Sequence, residues 1–228
     1  MVLAFEGTDI SGSAGGSANY QWTSGENRWS DWWLTTYQAI GACNTTISRI
    51  KQSTFDETRR TSLLAEARFL RAFYYYHALT YWGGVPLLKD EITSLDQVKN
   101  IKRATREELS NFIIDELTEV SDILEKSPAI VARASKGTAL TLLAKMYLLQ
   151  EQWENAAKTC EQIMGLNKYK LFDNYSDIFS QAFENQQEHI FSIQFNADYT
   201  DFSARMLWYL GPSKEEWDKF NGLGGSSA

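Results

Sequence analysis

The stretch TSLLAEARFLRAFYYYHALTYWGGVPLLKD, Thr61 to Asp90, decides the fold. Leu63, Ala67, Leu70, Tyr74 and Tyr81 recur at helical spacing, and Phe69, Phe73, Tyr76 and Thr80 form a second stripe. A helix with two such stripes is contacted on most of its circumference and belongs inside an all-helical core. Gly83 and Gly84 supply a stop, and Pro86 cannot continue a helix, so the chain is expected to leave extended from Val85 to Leu88. Arg68 and Arg71 lie inside this aromatic helix and are expected to make buried hydrogen bonds or ion pairs, with Glu66 or with an acid on a neighbouring helix.

Working outward, residues 1–27 are rich in Gly, Ser, Thr and Asn and read as a long loop. From Arg28 the residues Trp29, Trp33, Ile40, Cys43, Ile47 and Ile50 mark one buried helical face. A second helix is expected over 58–81. Thr105-Arg-Glu-Glu108 is a capping box, and the helix it starts turns Leu109, Phe112, Ile113, Leu117, Val120 and Leu124 inward. On that helix Asp115, Glu116, Glu119 and Asp122 read as a solvated face. Ser135 opens a further helix, and Leu140 to Met164 fits a tetratricopeptide-like pair with a turn at Gln150–Gln152. Ala144 and Ala156 let its helices approach, while Tyr147 and Trp153 are expected to fill the wedge. Such a pair needs stacked neighbours, for which 28–52 with 58–82 and 105–126 with 135–150 are suited. The expectation is a mainly all-α single domain over 1–228, with a loop-rich segment 1–27, a helical core 28–165, and an irregular region 166–228 holding one short strand around His189, Phe191, Ile193 and Phe195.

Composition narrows the function. A net charge of −7, with acids spread over several helices, excludes nucleic-acid binding by phosphate neutralisation. Cys43 and Cys160 have no zinc or redox spacing and read as two core thiols. His77 and His189 stand in no metal-ligand spacing, and no catalytic constellation, Walker loop or dinucleotide fingerprint is present, so neither an enzyme nor a cofactor is expected. An aromatic share of 14% with 8 tryptophans means either an unusually aromatic core or displayed rings.

The segment E-A-R-F-L-R-A-F-Y-Y-Y with W-G-G-V-P-L, Glu66 to Leu87, resembles the hallmark of the SusD/RagB family, the glycan-binding outer-membrane lipoproteins of Bacteroidetes. Gly7 to Ser11, the set Trp33, Tyr37, Ile40 and Asn44, the helical pair from Ser135 to Met164, and Glu188 to Phe195 extend the likeness over most of the chain. The resemblance implies a nutrient-binding lipoprotein of polysaccharide utilization. It would capture oligosaccharides outside the cell and dock as a lid on a SusC-like TonB-dependent transporter, its helices facing the transporter and its loops forming the glycan site. It also implies a signal and an acylated cysteine, a role for which neither Cys43 nor Cys160 is placed, and a larger C-terminal part. The residues themselves show neither a membrane-spanning run nor a secretory start. The chain therefore reads as a fragment, attached to the membrane only through an anchor it does not carry.

A pyranose has an apolar C–H face and a hydroxyl rim, so an indole or phenol ring binds the face while amides, carboxylates and guanidinium groups hold the rim. One ring hiding about 50 Å² contributes only about 1 kcal/mol, and several are required. Trp22 and Tyr20, in a polar context, are the first candidate platforms, with Asp9, Asn19 and Asn27 as rim partners or turn and cap residues. Trp32 lies off the buried stripe and is packing or ligand contact. Trp208 and Tyr209, near Arg205, form a core plug or a ligand wall. The rival reading is a helical-repeat module that binds a protein or peptide and no glycan.

Overall fold

The computed structural model describes residues 27–194, of which 30–192 form one compact unit. Five α-helices follow in order: α1 (Asn27–Lys51), α2 (Glu57–Trp82), α3 (Arg106–Ile123), α4 (Lys136–Leu149) and α5 (Trp153–Gly165). Their starts are chemically marked. Asp56 accepts from the Arg59 amide, and Thr105 with Glu108 closes a reciprocal capping box. Ser135 does the same with Thr138, a hydroxyl taking the place of the usual carboxylate.

Consecutive helices α2, α3, α4 and α5 pack each on the next, so the expected pair 105–126 with 135–150 forms. The expected pair 28–52 with 58–82 is not close-packed in the same way; α1 joins α2 through side chains such as Asn44 with Arg71. The core between them holds Phe69, Tyr75, Leu79, Leu109, Ile113, Leu117, Leu140 and Met146, and α1 adds Ile40. The buried arc of α2 differs from the expected stripes. It runs through Ala65, Phe69, Ala72, Tyr75, Ala78 and Leu79, whereas Leu70, Thr80 and Tyr81 face solvent. The alanines of this arc let the neighbouring helices come close around the buried rings of Phe69 and Tyr75, while Phe73, Tyr74 and Tyr76 sit half-buried on its flanks. In α1, Ile40, Cys43, Ile47 and Ile50 are buried as expected, while Trp29 is half-buried and Trp33 exposed.

The tetratricopeptide-like pair is α4 with α5, closed through Ala144 and Ala156. Trp153 does not fill its wedge: it is 63% exposed, because α5 packs with one face only, through Ala156 and Thr159. The same geometry turns Cys160 outward, so the expectation of two core thiols holds for Cys43 alone.

After α5 the chain crosses back over the bundle through short 3₁₀ turns at Tyr175–Phe179 and Gln181–Phe183. Thr138 donates to the Ile190 carbonyl, and the Phe191 ring meets Phe69 and Phe73 edge-on. The expected strand at 188–195 does not form among the described residues, and Phe195 lies outside them. The extended pairing that does occur there is an isolated antiparallel bridge between Pro86 and Arg103.

That bridge belongs to the segment that follows α2. Gly83 ends the helix in the left-handed region (φ 72°), which a side chain rarely adopts. The chain then runs extended alongside α1. Tyr37 donates to the Pro86 carbonyl (2.7 Å), Asn44 to the Leu88 carbonyl (3.0 Å), and Arg49 pairs with Glu91 (3.0 Å). The register is fixed by rise. From position 37 to 49 a helix climbs about 18 Å, and from 86 to 91 an extended chain climbs about 17 Å, so the two run in step.

Candidate functional site

Beneath this segment lies the polar centre of the fold. Glu116 of α3 is 6% exposed and receives two arginines of α2. Arg68 donates through Nε and Nη2 to Oε1 (2.9 and 2.7 Å), and Arg71 through Nε and Nη2 to Oε2 (3.2 and 2.8 Å). Arg71 then donates from Nη1 to Asn44 Oδ1 and to the Lys89 carbonyl. Glu116 thus leaves the solvated face assigned to it from the sequence. Arg68 also reaches the exposed Glu119, and Glu66 pairs instead with Arg133. No buried donor in this cluster is left without a partner, which is the condition for keeping charge inside a protein. Its product is positional: the carbonyls of Leu88 and Lys89 are held from α1 and α2 at once.

Tyr75 completes the grip, its hydroxyl accepting from the Leu88 amide (2.7 Å) and donating to the Leu88 carbonyl (3.0 Å). Burial pushes this phenol up from 10.0 to about 12, against the opposing pull of the Leu88 backbone and Arg71. The folded protein therefore keeps a proton that the unfolded chain gives up near pH 10. The associated stability is complete below pH 10 and is lost as pH rises through about 12, by about 2–3 kcal/mol. Urea unfolding at pH 9 and pH 11.5 measures it, and Tyr75→Phe should flatten the dependence.

The exposed rings gather elsewhere, where the first turns of α1 meet the last turn of α2. Trp32 stands edge-on to Tyr81 (4.9 Å), Trp33 edge-on to Trp82 (5.3 Å) and tilted over Tyr37 (4.7 Å), and Tyr81 meets Trp82 at 5.9 Å. His77 stacks behind Tyr81 and touches Phe73; burial holds its imidazole below the ordinary value, so it is neutral near pH 7. Trp33 at 36% and Tyr81 at 38% exposure present ring surface to solvent, and Trp82 lines a recess of about 520 Å³ with Arg103 and Arg106. Arg103 is spent on the carbonyls of Gly84 and Trp82. Rings held edge-to-face in this way are rigid platforms with guanidinium groups beside them, the combination that suits a sugar face and its hydroxyl rim.

Among the residues singled out from the sequence, the structure brings Trp32 to this surface. Asn27 opens α1, its side chain outside the described residues, and Asp9, Tyr20, Trp22, Trp208 and Tyr209 lie outside them altogether. Sequence reasoning placed Trp33 and Tyr81 on buried stripes, and Trp82, half-buried against the core, was not singled out for this surface. The signal for Tyr81 was available: Leu70, Tyr74, His77 and Tyr81 form one line, opposite Ala65 and Ala72 of the close-packed face. Among the described residues no group of His, Cys, Asp and Glu could hold a metal, and no helix is long and apolar enough to cross a membrane.

The SusD-like protein of Bacteroides ovatus is 29% identical over 194 residues, covering 77% of this chain and 34% of that protein. The starch-binding protein SusD of Bacteroides thetaiotaomicron is 34% identical over 122 residues, 50% of this chain and 21% of its own length. The crystal structure of a SusD-like carbohydrate-binding protein from Bacteroides fragilis superposes with a TM-score of 0.77 at 26% identity, over 86% of this chain and 40% of that one. The chain spans about a third of the length of the first curated relatives it matches, 32% and 34%. A family model described as starch-binding associating with outer membrane matches residues 10–148. With the arginine-aromatic helix and its clamped extended segment inside that match, the chain belongs to the SusD-like (SusD/RagB) family.

Proposed function

We propose that this chain is the helical part of a surface protein that binds extracellular oligosaccharides at the outer membrane and passes them to a SusC-like TonB-dependent transporter. The observation that carries the reading is the rigid, partly exposed ring set Trp32, Trp33, Tyr81 and Trp82 in a member of a family described as starch-binding. Binding without chemistry is enough for such a task. Two or three platforms with a few hydrogen bonds give dissociation constants of about micromolar to millimolar, weak enough to hand the cargo on. In this reading Asp9, Tyr20, Trp22, Asn27, Trp208 and Tyr209 remain candidate ligand contacts, the native protein carries a lipid anchor, and it faces the extracellular side.

Intrinsic tryptophan fluorescence, titrated with maltoheptaose, xyloglucan and laminarin oligosaccharides, tests this. Saturable quenching by one of them is expected, weakened about five- to tenfold in Trp33→Ala and in Tyr81→Ala. Trp22→Ala, run beside them, shows whether the N-terminal segment contributes. Full affinity in the Trp33→Ala/Tyr81→Ala double variant moves the site away from these rings. A folded chain that ignores every glycan but captures a peptide supports the interaction-module reading, which the outward Trp153 and Met164 of α5 favour.

A further inference from the structure

A second opening lies on the other side of the clamped segment. It is a cleft of about 900 Å³ between α1, α2, α3 and the loop from Lys89 to Gln97, with the Glu116 cluster as its floor. That is within the range of small-molecule sites. Its charges sort into two groups. Arg68, Arg71 and Glu116 neutralise one another with Glu119, and Glu91 is paired with Arg49. Among the described residues, Lys51, Lys89 and Asp90 line the same cleft without an ion pair. The unpaired surplus is therefore positive, in a chain whose net charge is −7.

Two of these groups are placed by the fold. Lys89 starts from a carbonyl fixed by Arg71, and its ammonium lies over the Phe112 ring at 5.2 Å, sharing that ring with the Arg71 guanidinium at 5.3 Å. Asp90 follows in the same tethered segment. Gln97 uses its carbonyl oxygen on the amides of Thr93 and Ser94, so its NH₂ remains as a donor. Leu64 and Phe112 are half-buried and offer apolar surface. A ligand that answers all of these has a C–H face, a hydroxyl rim and a carboxylate.

We infer that this cleft binds an acidic saccharide, a hexuronate unit whose carboxylate is taken by Lys51 and Lys89 and whose hydroxyls meet Asp90 and Gln97. The inference rests on the reading of the chain as a saccharide-binding protein, and it adds a site separate from the aromatic surface, selective for charge rather than ring face. Lys51 and Lys89 are exposed, so their replacement leaves the core intact.

Calorimetric titration with trigalacturonate, with its neutral counterpart trigalactose, and with sodium sulfate as a plain anion, tests it. Trigalacturonate should bind at least about ten times more tightly than either control, weaken as salt rises, and lose about tenfold or more in Lys51→Glu/Lys89→Glu while circular dichroism is unchanged. Lys51→Gln/Lys89→Gln should fall between, and Trp33→Ala/Tyr81→Ala should bind trigalacturonate as the parent does. Equal binding of the neutral trisaccharide or of sulfate overturns the inference, as does full affinity in the lysine variants. Loss of trigalacturonate in the aromatic variant alone also overturns it while leaving the proposed function standing. Loss of neutral-glycan binding with trigalacturonate retained separates the two in the other direction and supports the cleft.

Discussion

Glu116→Ala is expected to destabilise the protein by about 3–5 kcal/mol, the cost of breaking a buried ion pair from one side. The carboxylate is shared by Arg68 and Arg71, and its removal strands Arg71, which is itself 6% exposed and has no other acid among its partners. Glu119→Ala provides the contrast. Its carboxylate accepts from the same Arg68 at the same 2.7 Å, yet it is 63% exposed, and the loss should stay within about 1 kcal/mol. Urea unfolding at pH 7 compares them. Similar midpoints for the two variants would mean that the buried cluster relaxes into water and does not hold the segment above it.

Gly84→Ala should cost about 3 kcal/mol, at the upper end of overpacking penalties. A Cβ at this position would clash with the carbonyl oxygen of Ala104 and lie 3.1 Å from the Thr105 carbonyl carbon. These are backbone atoms and cannot rotate aside. Relief requires the strand-like pair to part, which breaks the Ala104 amide bond to the Val85 carbonyl (3.1 Å) and disturbs the Thr105 cap of α3. A fall in urea midpoint with an unchanged slope is the expected signature. A change below about 1 kcal/mol would show that the extended segment slides freely past Ala104.

The helices were legible because their signals are local. Thr105 and Glu108, or Ser135, announce a helix start within four residues, and Gly83 with Pro86 announces a stop. What could not be read is which side of a two-sided pattern faces in. Glu116 was grouped with Asp115, Glu119 and Asp122, yet it also falls on the line Leu109, Ile113, Glu116, Val120, all of them buried. A single acid on an apolar line, matched to two arginines inside an aromatic helix, is a long-range pairing that only assembly reveals. Trp153 misled for the opposite reason: an apolar residue at the right spacing is buried only if another element covers it, and α5 is covered on one face. The aromatic surface was partly visible through Trp32, while Trp33 and Tyr81 were hidden in stripes that read as core. The remaining candidates, from Asp9 to Trp22 and at Trp208 and Tyr209, lie outside the described residues.

The segment from Val85 to Lys89 has the β-favouring, uncharged start of an exposed edge strand, and a free edge of that kind recruits other chains. Here the carbonyls of Val85, Pro86, Leu88 and Lys89 are already taken. Ala104 occupies Val85, Tyr37 occupies Pro86, Asn44 and Tyr75 occupy Leu88, and Arg71 occupies Lys89. Side chains from two helices thus fill positions that a second copy's backbone would otherwise seek, and Pro86 has no amide to offer. The clamp that fixes this segment also keeps it from seeding aggregation, so a lesion in the arginine cluster threatens solubility together with stability.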